Sequence, residues 1–159
     1  MTKKNMITEI QNWFQATVSV EFELPDGHYG RPHDGGYSLK SIHAEEDKLF
    51  VEVAAEFAID IEGQKMFGTS IMFIFQGSPQ VRVVDVSPDA YQSHLFHPIY
   101  RCLEIYNFQF LALHRKRIPH PYSTRFDGKK PEIEECRFEY DEGIVRFISD
   151  KALDEGFIG

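Results

Sequence analysis

The sequence predicts a mostly-β, α+β domain: a curved antiparallel sheet, sandwich-like or barrel-like, of about eight strands with one N-terminal amphipathic helix. Three observations predict it. Apolar and polar residues alternate over residues 16–24 and 49–61, the period of a half-buried strand. Aromatic residues make up 14% of the chain, and 14 of its 159 residues are Phe, a side chain that suits a pleated surface. Clusters of Gly, Pro, Asp and Ser punctuate the apolar runs at the spacing of short strands. At 159 residues and with no internal repeat, residues 1–159 are read as a single domain.

Each element follows from local pattern. In residues 5–14, Met6, Ile7, Ile10, Trp13 and Phe14 recur at spacings of three and four, which predicts the helix. In 16–24, Ala16, Val18, Val20, Phe22 and Leu24 share one face of a strand. Residues 25–36 hold six Pro or Gly and read as a loop. A strand is expected over 37–44, with an irregularity near Ser41. Residues 49–61 place Leu49, Val51, Val53, Ala55, Phe57, Ile59 and Ile61 on one face. A straight strand of that length would run roughly 40 Å, so a bend or bulge is expected near Ala54-Ala55. Residues 62–65 read as a hairpin connection, and 66–76 as a central strand apolar on both faces. A turn at 77–79 and a strand at 80–86 follow. Ser87-Pro88-Asp89 has the form of a helix start. Residues 103–113 read as a strand on their Phe, Tyr and Ile content, and 115–131 as a polar loop. Strands at 134–140 and 144–149 flank Asp141-Glu142-Gly143, read as a hairpin turn.

Composition removes several function classes. No apolar run approaches the roughly 18–20 residues that span a membrane, and the N-terminus has no apolar core of a secretory signal. Cys102 and Cys136 are too few for a disulfide framework and are read as reduced thiols in a cytosolic protein. A net charge of −8 argues against nucleic-acid binding, which needs Lys and Arg on phosphates. The charge is uneven: residues 1–113 carry −7, residues 114–130 carry +5 and residues 131–159 carry −6.

Three places concentrate polar chemistry. The 25–36 loop sets His28, Arg31, His33 and Asp34 among residues with permissive backbones, and loops on a rigid scaffold commonly carry function. Its alternative reading is a structured turn. The basic tract contains Arg115, Lys116 and Arg117, able to meet an acidic partner, a phosphate or the chain's own acidic C-terminal segment. Glu52, Glu56, Asp60 and Glu62 form an acidic stripe on the exposed face of the long strand, either a solvated face that discourages edge pairing or a docking surface. His94 and His97 have a spacing that suits one helix face, but no zinc pattern accompanies them. Neither phosphate-loop nor nucleophile-elbow signatures occur. The sequence therefore names no catalytic residue, no metal ligand and no cofactor.

Leu24-Pro25-Asp26-Gly27, Gly30-Arg31-Pro32-His33-Asp34 and the strands to about Ile61 resemble a group of small bacterial proteins that share a Leu-Pro…Gly-Arg-Pro-x-Asp motif and have no known activity. The resemblance covers about a quarter of the chain. This chain has His28-Tyr29 where the group has an aromatic pair. The resemblance implies a small bacterial cytosolic protein and transfers no catalytic residue.

These readings converge on a non-enzymatic, cytoplasmic bacterial binding protein, immunity- or antitoxin-like, that docks a basic protein partner through acidic surface. The alternative is a small-ligand-binding protein or enzyme with the 28–34 loop at the mouth of an aromatic-lined pocket. A homodimer is a third option, with its interface on the apolar segments 66–76 and 103–113. The candidate binding residues are His28, Arg31, His33, Asp34, Glu52, Glu56, Asp60, Arg115, Lys116 and Arg117.

Overall fold

The computed structural model describes residues 2–30, 36–55, 59–61, 64–66, 68–86, 100–117 and 134–152. The fold is α+β and mostly β, as the alternation predicts. Helix α1 spans Lys3–Gln15. Thr2 caps it, its Oγ1 accepting from the Asn5 N–H at 3.1 Å, which satisfies one of the otherwise orphaned amides of the first turn. Met6, Ile10 and Trp13 form its buried face, at the spacings read from the sequence.

Strand β1 (Thr17–Glu23) follows directly. Its phase differs from the expected alternation. Val18 is exposed, while Thr17 is buried and donates its hydroxyl to the Trp13 carbonyl at 2.7 Å. The cause is Ser19, whose φ of 57° is left-handed. The chain enters its regular buried set only at Val20, Phe22 and Leu24. Strand β2 (Tyr29–Gly30) pairs with Phe22 and Glu23.

Strands β3 (Ser38–Glu45) and β4 (Lys48–Ala55) form a hairpin. Their register shifts between Leu39 and Ser41, where the irregularity was expected. Leu49, Val51, Val53 and Ala55 are all buried. β4 is described to Ala55, residues 56–58 lie outside the described residues, and β5 (Ile59–Ile61) pairs with β6 (Gln64–Met66) in a separate two-stranded sheet. Ile61 pairs with Gln64, so Gln64 and Lys65 of the expected 62–65 connection belong to strand β6, while residues 62–63 and the side chains of the acidic stripe beyond Glu52 lie outside the described residues.

Strands β7 (Thr69–Val86) and β8 (Tyr100–Arg117) have 18 residues each and pair along their length. Residues 77–79 are therefore not a turn. They are an irregularity inside one strand, with register shifts on both sides of Gly77. Gly77 sits at φ 113° and Asn107, across from it, at φ 62°. Glycine and asparagine tolerate that region best. Asn107 Nδ2 donates to the Ser78 carbonyl at 3.1 Å and ties the two bulged segments together.

Strands β9 (Glu134–Tyr140) and β10 (Val145–Ala152) do not form the expected hairpin. Both pair antiparallel with the same edge of β8, β9 along Leu111–Arg117 and β10 along Arg101–Ile105. Residues 141–144 interrupt one strand line at the level where β7 and β8 bulge. Asp and Gly mark bulges as well as turns, and only the partner strand distinguishes the two. The main sheet runs β2-β1-β10-β8-β7-β4-β3, with β9 beside β8.

Aligned bulges let the sheet curl. Phe22 on β1 meets Phe73 on β7 edge-on with ring centroids 5.3 Å apart, and Phe147 on β10 meets Phe73 at the same distance. These strands are not neighbours at that level, so the contacts cross the concave face. Met6, Ile10 and Trp13 of α1 join the same buried cluster. The sheet stays open. Among the described residues its ends approach through one isolated bridge, where the Tyr37 N–H donates to the Val20 carbonyl at 2.9 Å. On the convex side, Glu104 is buried and accepts from Arg82 Nε and Arg146 Nε at 2.6 Å each. No helix among the described residues is long and apolar enough to cross a membrane.

Candidate functional site

A cavity of about 330 Å³ opens between the β1–β2 turn and the inner faces of β7, β8 and β9. Strand alternation builds it. On β8, Leu111, Leu113 and Arg115 point to one side. Ile71 of β7 lies across from Arg115, and Phe138 and Tyr140 of β9 lie across from Leu113 and Leu111. From β1 come Phe22 and Leu24, and Tyr37 completes the wall. Phe22, Leu24, Ile71 and Leu113 are buried, whereas Phe138 is 42% exposed.

The rim is a structured turn. The Gly27 N–H donates to the Leu24 carbonyl at 2.9 Å, and the Leu24 N–H to the His28 carbonyl at 2.8 Å. Asp26 accepts from the His28 backbone N–H at 3.0 Å and meets the His28 ring Nδ1 at 2.7 Å. An Asp closing its own turn in this way is the local signature of such loops. Burial opposes ionisation of Asp26, but the His28 backbone N–H, its ring and its charge outweigh that and hold the carboxyl below its usual range. Burial and then the charge and hydrogen-bonding contact of Asp26 push the Tyr140 hydroxyl up. Gly30 packs against this site too. A Cβ there would overlap the Phe22 ring at Cζ and both Cε atoms, so the aromatic wall rests on a residue with no side chain.

Arg115 is the one permanently charged cation among the described lining residues. It is half-buried, and its side-chain hydrogen bond among the described residues runs to Cys136 Sγ at 3.6 Å. No described carboxylate pairs with it. Tyr37 stands close enough to feel its charge: burial pushes the Tyr37 hydroxyl up to about 12, and Arg115 offsets part of that.

The basic tract is thereby divided. Residues 115–117 are the end of β8 rather than the start of a loop. Arg115 turns inward, but its neighbours meet the acidic strand β9. Arg117 pairs with Glu134 at 2.9 Å, and Lys116 and His114 approach Glu135 at 4.0 and 3.6 Å. The reading that the chain's own acidic segment neutralises this tract describes Lys116 and Arg117. Glu52 is likewise engaged, accepting from Ser41 at 3.1 Å and Ser70 at 2.9 Å, with Lys40 at 3.9 Å. Arg31, His33, Asp34 and Glu56, and the side chain of Asp60, lie outside the described residues. His28 is placed at the rim, with its side chain 80% exposed. Cys102 is buried and Cys136 half-buried, and neither is in a disulfide.

Three larger hollows, of about 530, 740 and 370 Å³, take residues from α1. In the first, Arg101 and Asp85 already pair at 3.4 Å. The second is lined by Gln, Ser, Thr and Lys side chains around Phe14 and Tyr37. Trp13 lines the first beside Arg101, whose charge is already met by Asp85, and Lys40 in the second approaches Glu52 at 3.9 Å. Comparison of the chain with protein-family models, with curated proteins and with solved structures finds no match.

Proposed function

We propose that this chain is a small-molecule-binding protein and that the β1–β2, β7, β8 and β9 cavity is its site. The observation that carries the reading is a guanidinium, Arg115, set without a described carboxylate partner in a hollow of aromatic and aliphatic side chains. Ligand sites are typically apolar hollows of roughly 300–1,000 Å³ with a few placed polar groups, and this cavity falls in that range. Docking of a basic protein on acidic surface has less support, because Glu52, Glu134 and Glu135 already meet partners within the chain.

The lining suits binding rather than bond-making. His28 and Asp26 hold each other at an exposed rim, and among the described lining residues there is no Ser, Thr, Cys or Lys to act as a nucleophile. A thermal-shift titration with neutral aromatic fragments tests the reading. A fragment at ten times its Kd adds about 1.4 kcal/mol, or roughly 3–5 °C in Tm for a domain of this size. Ile71→Phe, which narrows the cavity, should remove that shift. A fragment set that leaves Tm unmoved at millimolar concentration contradicts the proposal.

A further inference from the structure

We infer that the ligand of this cavity is an amphipathic monocarboxylate: a flat apolar body lying against the wall that Phe22, Tyr37 and Phe138 line, and one carboxylate held by Arg115. The inference rests on the proposal that the cavity is a ligand site, and it adds the chemical class.

The argument begins with strand parity. Leu111 and Leu113 face the concave side of β8, and the next residue on that face is Arg115. An apolar side chain there would extend the core. Arginine instead places a permanent charge beside Ile71 and Tyr37, and it cannot escape the cost by losing its proton. The thiol of Cys136, at 3.6 Å, is a weak acceptor and meets only one of the five N–H donors. The remaining fork matches a carboxylate, which accepts two parallel hydrogen bonds.

Charge at the rim limits the ligand to one such group. Asp26 lies in the same lining and is held in its ionised form by His28. A second anionic group reaching the rim would face that carboxylate. The body of the ligand is set by the walls. Phe22, Tyr37 and Phe138 are aromatic residues of that lining, which favours an aromatic or otherwise flat partner.

Matched pairs test this in the full chain. Calorimetric titration would compare naphthoate with naphthamide, and phenylpropionate with its amide. A charge-assisted pair should make each acid bind about tenfold tighter than its amide, or more. Arg115→Gln should abolish the preference while leaving amide affinity within about twofold, and Arg115→Lys should retain part of it, since a lysine keeps the charge but not the fork. Naphthalene dicarboxylate should bind more weakly than naphthoate, and Asp26→Asn should narrow that gap. Acid and amide binding equally well to the unaltered protein would overturn the inference and leave the cavity reading standing. Failure of both acids and both amides to bind would overturn both.

Discussion

Gly30→Ala is a perturbation whose sign the structure decides. On an extended strand, replacing Gly by Ala ordinarily stabilises by about 0.4–1 kcal/mol, because the unfolded chain loses freedom. Here the new Cβ would fall within the Phe22 ring edge. Restoring ordinary contact requires the ring to move roughly 1.5 Å. The ring is 5% exposed and packs against Tyr37 and Phe73 at 5.3 Å and Phe147 at 6.4 Å, so it has little room to move. Overpacking of this kind costs about 1–3 kcal/mol. The expected outcome is a net loss of about 1–2 kcal/mol, read as a lower urea midpoint at unchanged slope. The control is the same substitution in a Phe22→Leu background, where the obstructing ring is gone. There Gly30→Ala should become neutral or stabilising. If Gly30→Ala raises stability in the unaltered protein, or costs the same in both backgrounds, the packing of Phe22 over Gly30 is wrong.

Three further outcomes follow from the same geometry. Tyr37, held neutral up to about pH 12 against an ordinary 10.0, contributes stability that is complete below pH 10 and is lost as pH rises toward 12. By pH 11 the loss is on the order of 1 kcal/mol. Tyr37→Phe should lack this increment, measured as the difference between the two proteins' urea midpoints at pH 9 and pH 11. Glu104→Ala should cost about 2 kcal/mol by chemical denaturation, because it removes the buried carboxylate that joins Arg82 and Arg146, although Arg146 keeps Glu23 at 3.0 Å. Arg82→Ala should cost clearly less, since Arg82 is 45% exposed and Glu104 retains Arg146. Val18→Ser should stay within about 0.5 kcal/mol of the parent, whereas Val20→Ala should lose about 2 kcal/mol. Equal costs at the two valines would contradict the change of phase at Ser19.

Local periodicity made much of this fold legible. The spacing of Met6, Ile10 and Trp13 identified the helix, and the alternation from Leu49 to Ala55 identified the most regular buried strand. What local pattern cannot distinguish is a turn from a bulge. Gly77-Ser78-Pro79 and Asp141-Glu142-Gly143 carry the same residue types either way. The deciding fact is non-local, namely that β8 continues unbroken past both. Val18 misled for a related reason. One left-handed residue, Ser19, shifts which face is buried without altering composition.

The site was legible in outline only. His28 does stand at the rim of an aromatic-lined cavity, and the turn chemistry of Asp26 and Gly27 is visible in the sequence. Arg115 was grouped with Lys116 and Arg117 because residues 115–131 read as loop, and loops have no parity. Extending the strand through Arg117 would have separated Arg115 from Lys116 at once. Phe138 and Tyr140 share one face by the same alternation. Their meeting with Phe22 and Tyr37 depends on the curl of the sheet, which no local signal records.

The most direct test of the central claim is methyl-resolved NMR of Ile- and Leu-labelled protein during titration with naphthoate. If the cavity is the site, the methyls of Ile71, Leu113 and Leu24 should shift together and saturate with one dissociation constant, while those of Ile7 and Ile10 on α1 stay unmoved. Saturating shifts confined to α1, or none at the three cavity methyls, would contradict the account.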